Sequence, residues 1–213
     1  HRIHAPLTDE LTRVWNDLLA SNRFIQGPEV KAFEEEFATY CQSSFAIGVS
    51  SGTDALLVAL MALGVGPGDE IITTPFTFFA TAGVIERLGA TPVFADIEPE
   101  SFNLDPDDVA KKITSKTRAI VAVHLFGQMA NMDRLKELVK GKEIHLIEDA
   151  AQSVGAENDR GQRAGSLGTV GCFSFFPAKN LGCFGDGGAV TTQDEDLAHR
   201  ISALRVHGAV KKY

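Results

Sequence analysis

Ile144-His145-Leu146-Ile147-Glu148-Asp149-Ala150-Ala151-Gln152 combines an apolar run with two carboxylates directly behind it. A short apolar run of this kind is typical of a buried β-strand. In open α/β sheets, ligands bind beyond the carboxyl ends of the strands, which is where these carboxylates would lie. Adjacent strand residues point to opposite faces, so only one of Glu148 and Asp149 can face a ligand.

Short apolar runs and helical patterns alternate on both sides of this stretch. The predicted strands are residues 45–49, 70–74, 91–96, 119–124, 143–148, 172–175 and 189–192. The predicted helices are residues 9–20, 29–40, 53–63, 78–88, 106–112, 131–138 and 195–204. Strands that are apolar throughout and separated by helices favour a mostly parallel sheet covered on both faces. The fold class is therefore α/β.

Composition narrows the class of function. The chain has 213 residues, 44% of them hydrophobic, which is enough for one large core. A net charge of −8 without a basic cluster argues against nucleic acid or an anionic membrane as a partner. No CxxC pair, metal-binding pattern, signal peptide or membrane-length apolar segment is visible, which predicts a cytoplasmic protein with reduced thiols and no metal. The cysteines are Cys41, Cys172 and Cys183.

Lys179 follows the apolar segment Ser174-Phe175-Phe176-Pro177-Ala178. A lysine in apolar surroundings loses solvation of its charged form, so its amine can attack carbonyls. Asp149 is the carboxylate that could keep a basic ring nitrogen protonated. An aldehyde cofactor with such a nitrogen needs both groups, and pyridoxal 5'-phosphate (PLP) is that cofactor. For Asp149 alone, a helix N-cap or a structural ion pair is the alternative.

A phosphate site is predicted where Ser50-Ser51-Gly52-Thr53 follows one strand and opens a helix. Ser51 or Ser50 can cap the helix, while Gly52 permits close approach of a ligand to free backbone amides. Ser174 could add a hydroxyl to the same phosphate. An ordinary N-cap explains the first segment alone equally well, and a strand serine explains Ser174.

Two further positions could contact the ring of the cofactor. Gln152 lies three residues beyond Asp149 and could hydrogen-bond the cofactor or a substrate, although a surface glutamine is the alternative. The aromatic segment 75–81 could place one phenylalanine on the ring face. Core packing is the simpler explanation for these phenylalanines taken without other information.

Together these segments resemble the DegT-type (DegT/DnrJ/StrS) sugar aminotransferases, a branch of the fold type I PLP enzymes. The resemblance runs through nearly the whole chain. It includes Phe24-Ile25-Gln26-Gly27-Pro28, Gly52-Thr53-Asp54-Ala55-Leu56, Thr77-Phe78-Phe79-Ala80-Thr81, His124-Leu125-Phe126-Gly127-Gln128, Glu148-Asp149-Ala150-Ala151-Gln152, Lys179-Asn180-Leu181-Gly182 and Arg205-Val206-His207-Gly208. The order and spacing of these pieces are more specific than any one of them.

The resemblance implies a role for each site residue. Lys179 would hold PLP covalently and act as acid and base, and Asp149 would pair with the pyridinium. Gln152 would sit near the ring oxygen, and Phe78 would stack on the ring. Phosphate would be bound by Gly52, Thr53 and Ser174.

The resemblance also implies a reaction and an architecture. An amino group would pass, usually from glutamate, to a keto sugar nucleotide. Gln152 favours a 3-keto sugar nucleotide, since many 4-keto enzymes of the family carry histidine or glutamate there. The architecture would be a large domain with a seven-stranded sheet and a small C-terminal domain, in a homodimer with shared active sites.

One departure from the family pattern concerns the end of the chain. The sequence stops at Lys211-Lys212-Tyr213, soon after Arg205-Val206-His207-Gly208. We therefore expect residues 1–213 to be an N-terminal segment and PLP-binding large domain, without the small domain and without transaminase activity of their own.

Two other functions fit a chain of this family. The family's sugar dehydratases replace the Schiff-base lysine with histidine, and Lys179 argues against that reading. A non-catalytic regulatory relative would tend to lose Asp149, Lys179 or Gln152, and all three are present.

Overall fold

A seven-stranded sheet organises residues 5–209, the part of the chain that the computed structural model describes. The Lys211-Lys212-Tyr213 end lies outside these residues. The strands are β1 (Phe45–Val49), β2 (Glu70–Thr73), β3 (Thr91–Phe94), β4 (Thr117–Val123), β5 (His145–Asp149), β6 (Val170–Ser174) and β7 (Gly188–Thr192). Their spatial order is β1-β7-β6-β5-β4-β2-β3. β7 runs antiparallel to both of its neighbours, and the other pairs are parallel.

Seven α-helices accompany the sheet within residues 5–209. They are α1 (Thr8–Ser21), α2 (Pro28–Tyr40), α3 (Gly52–Ala62), α4 (Ala80–Arg87), α5 (Pro106–Lys112), α6 (Met132–Val139) and α7 (Glu195–Arg205). Two short 3-10 helices, Ala5–Leu7 and Leu125–Gly127, complete the described elements. The sequence therefore predicted each strand and each α-helix in its correct place.

The period-two alternation of strand side chains divides the core into two layers. On one face, residues such as Val121 and Ile147 pack with α3, α4 and α7. On the other face, Ile120 and Leu146 pack with residues of α5 and α6. A third cluster, built around Phe173, joins α2 to the β1 and β7 side of the sheet. Both faces are covered, as the uninterrupted apolar strands require.

Small differences in element boundaries have local causes. β5 begins at His145 rather than Glu143, because Glu143 is exposed and the pairing of β5 with β4 starts at His145. α4 begins at Ala80 rather than Phe78, and no side chain caps it. Phe78 and Phe79 consequently belong to the segment that leads into the helix.

Three further observations bear on the sequence predictions. Cys41, Cys172 and Cys183 are all free thiols. Within residues 5–209, no helix is both long enough and apolar enough to cross a bilayer. In the same range, no group of three or more potential metal-ligating side chains comes together.

Candidate active site

Two polar side chains end neighbouring parallel strands on the same face of the sheet. Asp149 is the last residue of β5, and Ser174 is the last residue of β6. Each lies two residues beyond a side chain of the α3 and α4 layer, Ile147 and Cys172 respectively. Alternation therefore directs Asp149 and Ser174 toward the helices α3 and α4. Both side chains therefore lie at the carboxyl ends of these parallel strands, the edge where the sequence predicts a ligand.

The start of α3 lies directly against Ser174. A Cβ atom on Gly52 would lie 2.6 Å from Ser174 Cβ, closer than a real side chain tolerates. Ser51 is the N-cap, since its hydroxyl accepts from Asp54 N–H at 3.0 Å. The Gly52 and Thr53 N–H groups have no acceptor among residues 5–209. Two free amides and a hydroxyl thus converge at a helix N-terminus, an arrangement suited to an anion.

Asp149 is buried and hydrogen-bonded to the start of α4. Its Oδ2 accepts from Thr81 Oγ1 at 2.8 Å, and its Oδ1 accepts from Ala151 N–H at 3.3 Å. Burial raises the pKa of Asp149, and these two hydrogen bonds together with the positive charge of Lys179 act in the opposite direction. A cationic group beside this carboxylate would relieve the cost of its burial.

Glu148 faces the opposite side of the sheet and performs a structural role. Its carboxylate accepts from His124 Nε2 at 2.8 Å and from the N–H groups of Gly165, Leu167 and Gly168 at 2.9, 2.7 and 2.6 Å. Burial alone would raise the pKa of Glu148, but the hydrogen bonds from His124 and the glycine amides hold it below its ordinary value. Of the two carboxylates, Asp149 is therefore the one on the same face of the sheet as Ser174.

Gln152 is exposed, and its amide orientation is fixed by the backbone. Its Oε1 accepts from Phe126 N–H at 3.1 Å. Because that backbone group can only donate, the amide oxygen must face it, and Nε2 is the end left to donate elsewhere. Phe126 itself has a left-handed φ of 55°, which is uncommon for a bulky side chain. Gln152 is thus oriented as a hydrogen-bond donor.

Phe78 and Lys179 lie on loops at this edge of the sheet. Phe78 precedes α4 and is 73% exposed, so its ring is not used by the core. Lys179 lies on a turn after β6, and its N–H donates to Phe176 O at 2.8 Å. Lys179 is half-buried, and the flanking Phe176 and Leu181 are about half exposed. The surroundings of Lys179 are therefore more exposed than its apolar sequence neighbours indicate.

Thr81, beside Asp149, and His124, beside Glu148 on the opposite face of the sheet, are buried polar residues to which the sequence alone assigned no role. Thr81 is buried and contacts Asp149 directly. His124 binds Glu148 through Nε2, and its Nδ1 accepts from Ala130 N–H at 3.1 Å. Neither residue belongs to a local pattern that names a partner. The spacing of Thr77 and Thr81, four residues apart across the start of a helix, was the one available signal.

These features fit pyridoxal phosphate. The approach of Gly52 to Ser174 leaves room for backbone amides at a phosphate but none for a side chain. The buried carboxylate of Asp149 suits a cationic ring nitrogen, and the charge of Lys179 already acts on it. Gly52, Thr53 and Ser174 would hold the phosphate, Asp149 the ring nitrogen and Lys179 the aldehyde carbon.

Comparison with known proteins gives a consistent result. Residues 6–213 match the sequence profile of the DegT/DnrJ/EryC1/StrS aminotransferase family. A dTDP-3-amino-3,4,6-trideoxy-alpha-D-glucose transaminase of Streptomyces venezuelae is 50% identical over 92% of this chain and 52% of its own length. A Pleiotropic regulatory protein of Geobacillus stearothermophilus is 50% identical over 97% of this chain and 55% of its own length.

A solved structure extends the likeness to three dimensions. The X-ray crystal structure of S. venezuelae DesV in complex with a ketimine intermediate superposes with a TM-score of 0.96 at 47% identity. That alignment covers 100% of this chain and 57% of DesV. The chain thus spans little more than half the length of these relatives. The predicted α/β fold of the PLP-dependent transferases is confirmed, and the chain belongs to the DegT/DnrJ/EryC1/StrS aminotransferase family.

Proposed function

We propose that the protein containing this chain is a PLP-dependent aminotransferase that transfers an amino group from glutamate to a keto sugar nucleotide. The observation that carries the proposal is the convergence of Asp149, Ser174 and Gly52 at one edge of the sheet, with Lys179 on the turn after β6. Family membership and a relative named as a transaminase of a dTDP-amino sugar support the same class.

Each residue has a task that follows from its chemistry. When bound, PLP supplies an aldehyde that condenses with amines and a ring that withdraws electrons from the attached carbon. Asp149 holds a proton on the ring nitrogen by presenting a buried negative charge. The Gly52 and Thr53 amides and the Ser174 hydroxyl bind phosphate. Lys179 Nζ, when neutral, can take a proton from substrate carbon and return it at another position.

Phe78 and Gln152 would shield the cofactor ring from water and orient the cofactor and substrate. Phe78 offers an aromatic face that can cover one side of the ring and exclude water. Gln152 Nε2 can donate to an oxygen of the ring or of the sugar, because its Oε1 is already occupied by Phe126 N–H. Neither residue moves a proton. Both restrict the orientation in which Lys179 and the substrate meet, which can contribute several powers of ten in rate.

Covalent attachment at Lys179 can be tested directly. Borohydride reduction of the purified protein with PLP, followed by peptide mapping, should place the pyridoxyl group on Lys179. Lys179→Arg keeps the charge and is the matched control, which should bind PLP reversibly and leave no label after reduction. Label on another lysine in the wild-type protein would contradict the assignment.

The substrate we propose is a 3-keto nucleotide hexose. Gln152 favours this regiochemistry through the family resemblance, and the S. venezuelae relative is named for a 3-amino sugar. The pyridoxamine form of the protein should therefore aminate 3-keto nucleotide sugars faster than 4-keto isomers in single-turnover reactions. Faster reaction with the 4-keto isomer would favour the alternative, a 4-keto sugar-nucleotide aminotransferase.

A regulatory role is the second candidate, because the G. stearothermophilus relative is named a Pleiotropic regulatory protein. The presence of Lys179, Asp149 and Gln152 in this chain favours catalysis. A protein that binds PLP at Lys179 but fails to exchange its amino group with glutamate, or with any keto sugar nucleotide offered, would favour regulation. We also propose a homodimer, which light scattering of the purified protein would test.

A further inference from the structure

A chain of two hydroxyl groups leads from the segment before α4 to Asp149. Thr77 Oγ1 lies 3.0 Å from Thr81 Oγ1, and Thr81 Oγ1 donates to Asp149 Oδ2 at 2.8 Å. Thr81 is 1% exposed, so water cannot replace either bond without rearrangement. Thr77 precedes Phe78 in the segment that leads into α4, and Thr81 is the second residue of α4. One local element thus connects the exposed ring of Phe78 with the buried carboxylate.

The direction of these hydrogen bonds follows from the number of protons available. An ionised carboxylate only accepts, and a threonine hydroxyl has a single proton to donate. When Asp149 is ionised, Thr81 donates its single proton to Asp149, so the hydrogen bond between the threonines requires Thr77 to donate to Thr81. The hydrogen bond from Thr77 to Thr81 strengthens the one from Thr81 to Asp149, because hydrogen-bonded hydroxyls polarise one another.

The arrangement makes the two oxygens of Asp149 unequal. Oδ2 is occupied by Thr81 at 2.8 Å, whereas Oδ1 has only the longer contact of 3.3 Å with Ala151 N–H. Oδ1 is therefore the oxygen with free capacity for a cationic donor. A hydroxyl at Oδ2 also prevents the carboxyl group from rotating about its χ2 bond without losing a buried hydrogen bond.

The other ionisable groups near Asp149 do not duplicate this role. The ring nitrogens of His124 are engaged by Glu148 and Ala130 N–H, and Glu148 lies on the opposite face. Burial raises the pKa of Cys172 well above its ordinary value. Lys179 contributes charge, but it is the residue that the proposed function assigns to the cofactor aldehyde.

We propose that Thr81 is a positioning residue, supported by Thr77, which holds Asp149 by Oδ2 and presents Oδ1 to the ring nitrogen of the cofactor. The proposal rests on the function proposed above. It adds a residue that acts on the cofactor only through Asp149, and it assigns different roles to the two carboxylate oxygens.

The test compares Thr81→Val, which removes the hydroxyl at nearly constant volume, with Thr81→Ser, which keeps it. The first readout is a carbon-13 NMR titration of the Asp149 side chain in cofactor-free protein. Loss of a donor to the ionised form should raise the pKa of Asp149 in Thr81→Val, and Thr81→Ser should restore it. An Asp149 titration in Thr81→Val that matches the wild type would overturn the proposal.

The second readout is the dissociation constant of PLP. Loss of a hydrogen bond to a charged group should weaken binding about tenfold in Thr81→Val, with recovery in Thr81→Ser. Thr77→Val should weaken binding by a smaller factor, roughly threefold, because Thr81 still reaches Asp149. Equal losses in Thr81→Val and Thr81→Ser would show that packing, not the hydroxyl, matters, and would also overturn the proposal.

The two readouts separate this proposal from the proposed reaction. The NMR titration uses neither cofactor nor substrate, so it reports on Thr81 even if the protein fails to aminate a sugar. Conversely, a protein that aminates sugars normally while Asp149 titrates unchanged in Thr81→Val would retain the proposed function and lose this inference.

Discussion

At the scale of single residues, the adjacent carboxylates of Glu148 and Asp149 differ in how well hydrogen-bond donors compensate their burial. Glu148 is surrounded by N–H donors and is stable as an anion in the unliganded fold. Asp149 has a hydroxyl and one long backbone contact, which do not offset its burial. Glu148 is therefore a structural anion, whereas the burial of Asp149 is less completely offset, so that a further cation beside it would favour its ionised form.

Asp149→Asn should stabilise the cofactor-free fold at neutral pH while reducing activity. Burial raises the pKa of Asp149 in the folded protein. As the pH rises, Asp149 therefore stays protonated in the folded protein at pH values at which the unfolded chain has already lost this proton. Wild-type stability should therefore fall, relative to the variant, as pH rises above about 4, by up to about 1.4 kcal/mol per unit until the raised pKa is reached.

Urea unfolding of both cofactor-free proteins at pH 5 and pH 8 measures this difference. With PLP bound, the order should reverse, because the ring cation favours the carboxylate. Turnover of Asp149→Asn should fall by two or more powers of ten, since several pKa units at the ring nitrogen are at stake. A difference in stability that does not change with pH would contradict the assignment of Asp149 as a costly buried acid.

Glu148→Gln should damage the fold rather than the chemistry. An amide replaces one accepting oxygen by a donor, which must then face the N–H groups of Gly165, Leu167 or Gly168, or His124 Nε2. We expect a loss of about 2–4 kcal/mol in the free energy of unfolding. The absorbance of bound PLP should be nearly unchanged below the unfolding transition. A spectrum altered as much as in Asp149→Asn would instead place Glu148 at the ring.

The sequence predicts that only one of Glu148 and Asp149 faces the ligand, but it does not show which one. Strand alternation requires that they face opposite sides of the sheet, and it does not say which side holds the ligand. The partners that distinguish them are distant in sequence. Thr81 lies at the start of α4, and Gly165, Leu167 and Gly168 lie between β5 and β6. Only the folded topology brings these groups together.

At the scale of elements, the first turn of α3 determines the shape of the proposed phosphate site. Gly52→Ala would place a methyl group 2.6 Å from Ser174 Cβ, so either the helix start or β6 must move. We expect the dissociation constant of PLP to rise at least about tenfold, because displacement of positioned amides weakens each of their bonds to the phosphate.

Gly66→Ala is the matched control for this change. Gly66 lies in a turn where an added Cβ meets nothing within 4 Å, and its φ is not in the left-handed region. This variant should bind PLP as the wild type does. The affinity for PLP is measured by titration of cofactor absorbance. Equal affinities of Gly52→Ala and the wild type would contradict the placement of the phosphate at the start of α3.

Elements were easier to predict than contacts between elements. The apolar strands and their glycine-rich turns are local signals, and β1, for example, occupies the predicted residues 45–49. The capping serine of α3 is also local, although sequence alone allowed Ser50 or Ser51, and the structure selects Ser51. The closeness of Gly52 to Ser174 results from the pairing of β6 with β7 and the placement of α3 over them, and no local pattern contains it.

At the scale of the whole molecule, large apolar side chains are buried on the sheet but exposed on α1. Phe173 is 0% exposed and packs edge-on against Phe37 at a centroid distance of 5.0 Å. Trp15, on α1, is 58% exposed, and α1 has no buried residue. The stability of this chain should therefore depend on the sheet and the helices packed on it, with little contribution from α1.

Replacing these two aromatic residues by alanine tests that division. Phe173→Ala removes a fully buried ring and should lower the free energy of unfolding by about 3–5 kcal/mol. Trp15→Ala should change it by no more than about 0.5 kcal/mol, as is usual for exposed positions. Unfolding should be followed by far-UV circular dichroism, because Trp15 is the single tryptophan of the chain and its fluorescence is lost in the variant. In the wild type, that fluorescence should have the emission of a water-exposed indole. A loss above about 1.5 kcal/mol in Trp15→Ala, together with blue-shifted wild-type emission, would show that α1 packs against apolar surface in solution.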